Sequence, residues 1–178
     1  LLPAMLEAAQ ILFKDNPRLQ FILIKAATVD QSLIERYLGA IPFPLKVVDH
    51  DRYNALNAAE LCVVASGTAT LETAILGKPM VIVYKTSILT WALAKGLVRL
   101  PYIGLVNVVA GKKIVPECIQ FEATAQKIAA QIQSLYADEI KTQTIKEELR
   151  KVKTALGSPR ASQRAAVEVL KVIQESPE

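Results

Sequence analysis

Val63-Val64-Ala65-Ser66-Gly67-Thr68-Ala69-Thr70-Leu71-Glu72 is the stretch on which the fold turns. Its first residues are continuous, apolar and β-branched, as a strand covered on both faces requires. Ser66-Gly67-Thr68 makes a small-residue turn. Thr68 to Leu76 then separates this strand from a second apolar run, Met80-Val81-Ile82-Val83-Tyr84. A buried strand, a crossover helix and another buried strand make a parallel unit.

The same alternation extends in both directions. Upstream, Leu2, Leu6, Ala9 and Phe13 sit at helical spacing within 2–14, and Asp15-Asn16-Pro17 punctuates before the strand Phe21-Ile22-Leu23-Ile24. A polar helix from Asp30 to Leu38 leads through Gly39 and Pro42 to the strand Leu45–Val48, and a short helix near Tyr53–Ala59 precedes Leu61–Ala65. Downstream, Ile88 to Leu100 reads as a helix, Ile103 to Val109 as an extended segment, and Ala125, Ile128, Ala129, Ile132 and Leu135 mark another helix. This order predicts an α/β fold with a Rossmann-like, doubly wound parallel sheet over residues 1–138. Residues 139–178 read as a helical C-terminal extension. Its helices span 139–157 and 159–175, broken at Gly157-Ser158-Pro159, and the stripe Ile145, Leu149, Val152, Leu156 calls for a partner surface.

Composition narrows the class. At 52% hydrophobic the chain can bury a sizeable core, which excludes disorder. Lys and Arg interrupt every apolar run before the roughly 18 to 20 residues a membrane span needs, so the chain reads as soluble. Leu1-Leu2-Pro3-Ala4-Met5 does not resemble a signal peptide. Cys62 and Cys118 do not make a disulfide framework, one histidine leaves too few ligands for zinc, and a reducing compartment fits best.

The net charge of +4 is unevenly spread. Residues 73–116 hold Lys78, Lys85, Lys95, Arg99, Lys112 and Lys113 and no acid, whereas the rest of the chain has more acids than bases. Such a segment attracts phosphates or anionic lipid. With 6% aromatics there is little to stack nucleobases, which argues against nucleic acid. The plainer alternative is that these lysines solubilise an apolar stretch.

The turn at Ser66-Gly67-Thr68 carries the chemistry. Glycine lets a ligand approach the backbone, and the first amides of the helix have no internal partner and present the positive end of its dipole. A diphosphate is the natural guest. With Thr68 as the N-cap, Glu72 stands too far along for a capping box, leaving its carboxylate free for ribose hydroxyls. The alternative is an ordinary capped crossover helix with a solvated glutamate. Neither GxGxxG nor a P-loop is present.

The ordered set Ala65-Ser66-Gly67-Thr68-Ala69-Thr70-Leu71-Glu72, Lys78-Pro79-Met80-Val81 with Tyr84-Lys85, Leu105-Val106-Asn107-Val108-Val109-Ala110-Gly111 and Val115-Pro116-Glu117-Cys118-Ile119-Gln120 resembles the successive motifs of lipid-A-disaccharide synthases. The resemblance runs from Leu1 to about Gln174. It implies the C-terminal half of a GT-B glycosyltransferase, which binds the UDP-sugar donor. The family transfers 2,3-diacylglucosamine from UDP to 2,3-diacylglucosamine 1-phosphate with inversion, forming lipid A disaccharide 1-phosphate and UDP, without a metal or other cofactor. By motif position, Ser66, Gly67 and Thr68 meet the diphosphate, Glu72 the ribose, and Asn107, Glu117 and Gln120 the donor side of the cleft. In the family a Gly-Ser-Arg phosphate loop and an acceptor domain precede the Leu-Pro that opens this chain. The catalytic base is expected there, and this chain alone is expected to be inactive. Where the family often has Leu-Pro-Asn, this chain has Leu105-Val106-Asn107.

Other residues bear on the setting. Trp91, Leu93, Leu97, Val98 and Leu100 make Ile88–Leu100 too apolar for a solvated helix, with Lys95 and Arg99 four apart. That pattern suits a peripheral contact of Trp91, Lys95 and Arg99 with a membrane surface, here the cytoplasmic face of a bacterial inner membrane; burial under another domain is the alternative. His50, between Asp49 and Asp51, reads as a turn residue. The family resemblance also implies a possible homodimer exchanging its C-terminal segments. The rival readings are another UDP-sugar GT-B transferase or epimerase domain, and a non-catalytic membrane-associated interaction module.

Overall fold

The computed structural model describes residues 1–26, 28–39, 41–97, 101–157 and 161–175. Helix α1 (Leu2–Asp15) leads to strand β1 (Phe21–Ile24), α2 (Gln31–Leu38), β2 (Leu45–Val48), α3 (Arg52–Ala58), β3 (Cys62–Ala65), α4 (Ala69–Ile75) and β4 (Met80–Tyr84). Then come α5 (Ile88–Leu97), α6 (Leu105–Ala110), β5 (Glu117–Ile119), a 3-10 turn (Gln120–Glu122), α7 (Ala125–Ala137), α8 (Glu139–Ala155) and α9 (Ala161–Glu175). Several helix starts are written in polar side chains. Asp30, Thr124 and Asp138 each accept the backbone N–H of a residue in the first turn, of Ser32, Lys127 and Lys141 respectively.

All strand pairs are parallel, as the alternation demands, but they form two ladders rather than one continuous sheet. β3, β4 and β5 pair in that order, with Cys62 opposite Met80 and Val83 opposite Cys118, while β1 pairs with β2 from Phe21–Leu45 to Ile24–Val48. The larger ladder carries the core. Met80, Val81, Ile82 and Val83 are all at 0% exposure, so both faces of β4 are covered. α7 lies on β4 and holds α1 against itself; Ala8 and Leu12 are the buried face of α1. The smaller ladder packs against this core through Phe21. Phe21 and Phe43 meet edge-on with centroids 4.9 Å apart, and Phe13 of α1 joins them at 6.0–6.4 Å.

Two expectations change in detail. Residues Ile103–Val109 are not extended: Leu105–Ala110 is a helix, with Gly104 at its N-cap and Gly111 in the left-handed region at φ 65° just beyond it. The partner surface for the stripe on α8 lies within the chain. Ile145, Leu149 and Val152 are buried in the main core, with α8 packed on α4, α6 and α7. Of the helix expected over Ile88–Leu100, α5 is described to Leu97, and 98–100 lie outside the described residues.

Candidate functional site

The turn after β3 lies at the carboxyl edge of the sheet, where α/β folds place ligands. The Ser66 N–H donates to the Val83 carbonyl at 2.9 Å, extending the β3–β4 ladder by one rung. Gly67 then takes φ 155°, and a Cβ built there would meet nothing within 4 Å, so its face is open. Thr68 is the N-cap of α4, exposed, with no side-chain cap bond. The N–H groups of Gly67, Thr68 and Ala69 donate to no acceptor among the described residues, while the Thr70 N–H and hydroxyl both donate to the Gly67 carbonyl at 3.1 and 2.8 Å. Three consecutive outward amides on a turn pinned from behind make a concave donor surface for an anion.

Glu72, four residues past the N-cap, is not free as the sequence suggests. The Arg52 guanidinium stands 3.5 Å from its Oε1, and Arg52 also lies over the Tyr53 ring at 4.8 Å and donates to the Tyr53 hydroxyl. With Arg52 at 55% and Glu72 at 31% side-chain exposure the pair is loosely held, so the carboxylate can exchange this partner for a ligand. Sequence reasoning missed Arg52. It opens a short helix with no motif around it, and only the ion pair it makes with α4 reveals its neighbour.

Asn107, Glu117 and Ser66 meet around the backbone of Ile103 and Gly104. Glu117 accepts the N–H of Ile103 at 3.2 Å, that of Gly104 at 2.9 Å and the Asn107 amide at 2.8 Å. The Ser66 hydroxyl donates to the Ile103 carbonyl at 3.2 Å. Asn107 is at 0% exposure and fully used: Nδ2 also donates to the Val115 carbonyl, and Oδ1 accepts the N–H groups of Ile114 and Val115. Gly104 closes the joint. A Cβ there would overlap Ile82 Cδ1 and stand 3.1 Å from Glu117 Oε1, so any larger residue requires Ile82 to shift.

Gln120 serves the next segment. Held at φ 52°, a costly region for a non-glycine residue, it accepts the Thr86 N–H at 3.0 Å and donates its amide back to the Thr86 carbonyl at 3.0 Å. This double bond fixes how the chain leaves β4. α5 follows, its start capped by Ser87, whose hydroxyl accepts the Thr90 N–H at 3.1 Å. On α5, Ile88, Leu89 and Leu93 are 70%, 72% and 60% exposed, and Trp91 is half-buried. The Lys95 side chain and all of Arg99 lie outside the described residues.

The structure thus joins Ser66, Asn107 and Glu117 in one network, sets Glu72 beside Arg52, and places Gln120 at the exit of β4. Of the cationic segment, Lys112 is neutralised by Glu148 at 2.7 Å, and Lys78 donates to the Asn57 carbonyl. His50 is 92% exposed, 3.5 Å from Asp49. Cys62 and Cys118 are free and buried, and among the described residues no His, Cys, Asp or Glu cluster could hold a metal. No described helix is long and apolar enough to cross a membrane.

Comparison with known proteins gives one answer over nearly the whole length. The lipid-A-disaccharide synthetase family model matches residues 1–172. The lipid-A-disaccharide synthase of Syntrophus aciditrophicus is 41% identical over 99% of this chain and 46% of its own length. The enzymes of that name from Anaeromyxobacter dehalogenans and Geobacter metallireducens are each 39% identical, over 98% and 97% of this chain. The chain spans about half the length of the curated relatives it matches, 45–46%.

Proposed function

This chain belongs to the lipid-A-disaccharide synthetase family, and from that premise we propose that it is the donor-binding half of a glycosyltransferase of lipid A biosynthesis. The observation that carries the reading is the run of free amides at Gly67, Thr68 and Ala69, open above Gly67 and set at the carboxyl edge of a parallel sheet. These amides and the Ser66–Thr68 turn receive the diphosphate of a UDP-sugar. Glu72 leaves Arg52 to accept the ribose hydroxyls. The donor is UDP-2,3-diacylglucosamine and the acceptor 2,3-diacylglucosamine 1-phosphate, joined with inversion.

On this reading the protein's part in catalysis is electrostatic. Charge that develops on the departing UDP is met by preorganised N–H donors rather than by a metal. Asn107, Glu117 and Gln120 act on the donor side of the cleft as positioning residues. Asn107 and Glu117 hold Ile103–Gly104 against Ser66, and Gln120 fixes Thr86. The base and the acceptor site belong to the other half of the family's length.

Acyl-chain substrates have to be met at a membrane, and the exposed Ile88, Leu89 and Leu93 of α5, with Trp91, Lys95 and Arg99, are the contact we assign to a cytoplasmic membrane face. Exchange of the C-terminal segment in a homodimer is supported by the exposed Val167, Val169 and Leu170 of α9.

Calorimetric titration of UDP and ADP into the chain tests the reading. UDP is expected to bind more tightly than ADP, and Glu72→Ala to weaken UDP by about 10- to 150-fold, the value of one hydrogen bond to a charged group. Equal binding of the two nucleotides, or a Glu72→Ala variant indistinguishable from the parent, would contradict it.

A further inference from the structure

Lys146, Arg150 and Lys153 recur at one-turn spacing along α8 and line a cleft of about 270 Å³ whose other wall is the end of α4, Ala74 to Gly77. No carboxylate among the described residues lies within ion-pair distance of any of the three. The same helix does pair its charges elsewhere: Glu148, one residue along from the cleft face, binds Lys112 and Lys151, each at 2.7 Å. Those contacts hold its carboxyl below the usual range. The α4 wall contributes no acid, and nothing lies within 4 Å of where a Cβ of Gly77 would sit, so the floor is open.

The carbonyl end of α4 accounts for part of this charge, because a helix C-terminus carries roughly half a negative charge. Three cations exceed it severalfold. A cleft of about 270 Å³ has room for a phosphate group. It is also separate from the turn at Ser66–Thr68. The seven residues of α4 set the two ends of that helix about 10 Å apart.

We propose that this cleft is a second anion site that takes a phosphate group, as a soluble phosphate or as the headgroup of an anionic lipid. Arg150 supplies paired N–H donors to two phosphate oxygens, and Lys146 and Lys153 flank it as point charges. The site does not depend on the donor assignment at the turn.

The test follows backbone amide resonances of the 178-residue chain while inorganic phosphate is added. In parallel, sedimentation is measured with phosphatidylcholine vesicles containing or lacking phosphatidylglycerol. Shifts at Gly77 and along 146–153 with phosphate identify a soluble ligand. Selective sedimentation with phosphatidylglycerol that is lost in the triple variant identifies a headgroup. Combining Lys146→Gln, Arg150→Gln and Lys153→Gln is expected to weaken binding roughly a hundredfold, a factor of about five per cation removed. Lys151→Gln on the neighbouring face is expected to leave it unchanged. If the triple variant fails to fold, Arg150→Gln alone still removes the paired donors, and a loss of about fivefold is expected. No binding of either probe, or binding that the cleft substitutions leave intact, overturns the proposal.

Discussion

Asn107→Asp keeps the shape of the most enclosed polar side chain in the network and reverses one of its two ends. Oδ1 still accepts the N–H groups of Ile114 and Val115, at 2.9 and 3.0 Å. The donor is lost. An oxygen now faces Glu117 Oε1 at 2.8 Å and the Val115 carbonyl at 3.0 Å. Two hydrogen bonds vanish, at about 1 kcal/mol each, and a charge is left without a partner at a position with 0% exposure. Uncompensated buried charges cost about 3–5 kcal/mol, and that is the loss of unfolding free energy expected at pH 7, a large share of a domain's ordinary stability. Acid should reverse it. Once protonated, the introduced carboxyl is again a donor, and the folded state holds this proton more tightly than the unfolded chain does. The penalty therefore shrinks as pH falls, by up to about 1.4 kcal/mol per pH unit. Urea unfolding of parent and variant, followed by circular dichroism at pH 7 and pH 5, measures both effects. A penalty below about 1 kcal/mol at pH 7, or one equal at the two pH values, would refute the role given to Asn107.

Three further outcomes are expected. Gly104→Ala should destabilise by about 1–3 kcal/mol through overlap with Ile82, and Ile82→Val in the same chain should recover part of the loss; additive penalties in the double-mutant cycle would remove the close approach as the cause. Burial pushes the Cys62 thiol up from its ordinary 9.0 to about 11, so the folded chain loses stability as pH rises through that interval, and near pH 8 Cys62 should react with Ellman's reagent at least a hundredfold more slowly than in urea. Burst reaction of both cysteines in the native chain would contradict its burial. Leu149→Ala on α8 should cost about 2–5 kcal/mol in urea unfolding, as in any full core; a cost under 1 kcal/mol would mean that α8 is a detachable appendage.

Much of this architecture is legible in the sequence because the relevant forces are local. Continuous apolar runs are strands where both faces are covered, and Met80–Val83 meets that condition at every residue. The stripe on α8 was equally plain, since Ile145, Leu149 and Val152 repeat at helical spacing whatever lies beneath them. α6 was not legible. Its β-branched Val106, Val108 and Val109 favour extension, and the helix is held by Asn107, which captures the backbone of Ile114 and Val115, a tertiary bond invisible to spacing. Gly111 was the available signal, as a glycine stop after a short apolar run. At the turn, Ser66-Gly67-Thr68 could be placed from residue types alone, whereas the pairing of Glu72 with Arg52 depends on how α3 and α4 lie together. A sequence also cannot report that the strand ladder divides between β2–β1 and β3–β4–β5.

The docking of α1 on α7 has a consequence for how the chain is made. Ala8 and Leu12 cannot be covered until α7, beginning at Ala125, has been synthesised, and Gln133 must appear before it can bond Asp15. At about 5–20 residues per second that interval lasts roughly 6–22 s on the ribosome. For that time an amphipathic helix stands with its apolar face bare. Contacts this distant in sequence also slow refolding of the finished chain. A ribosome-bound intermediate truncated before Ala125 therefore leaves Ala8 and Leu12 without the helix that covers them.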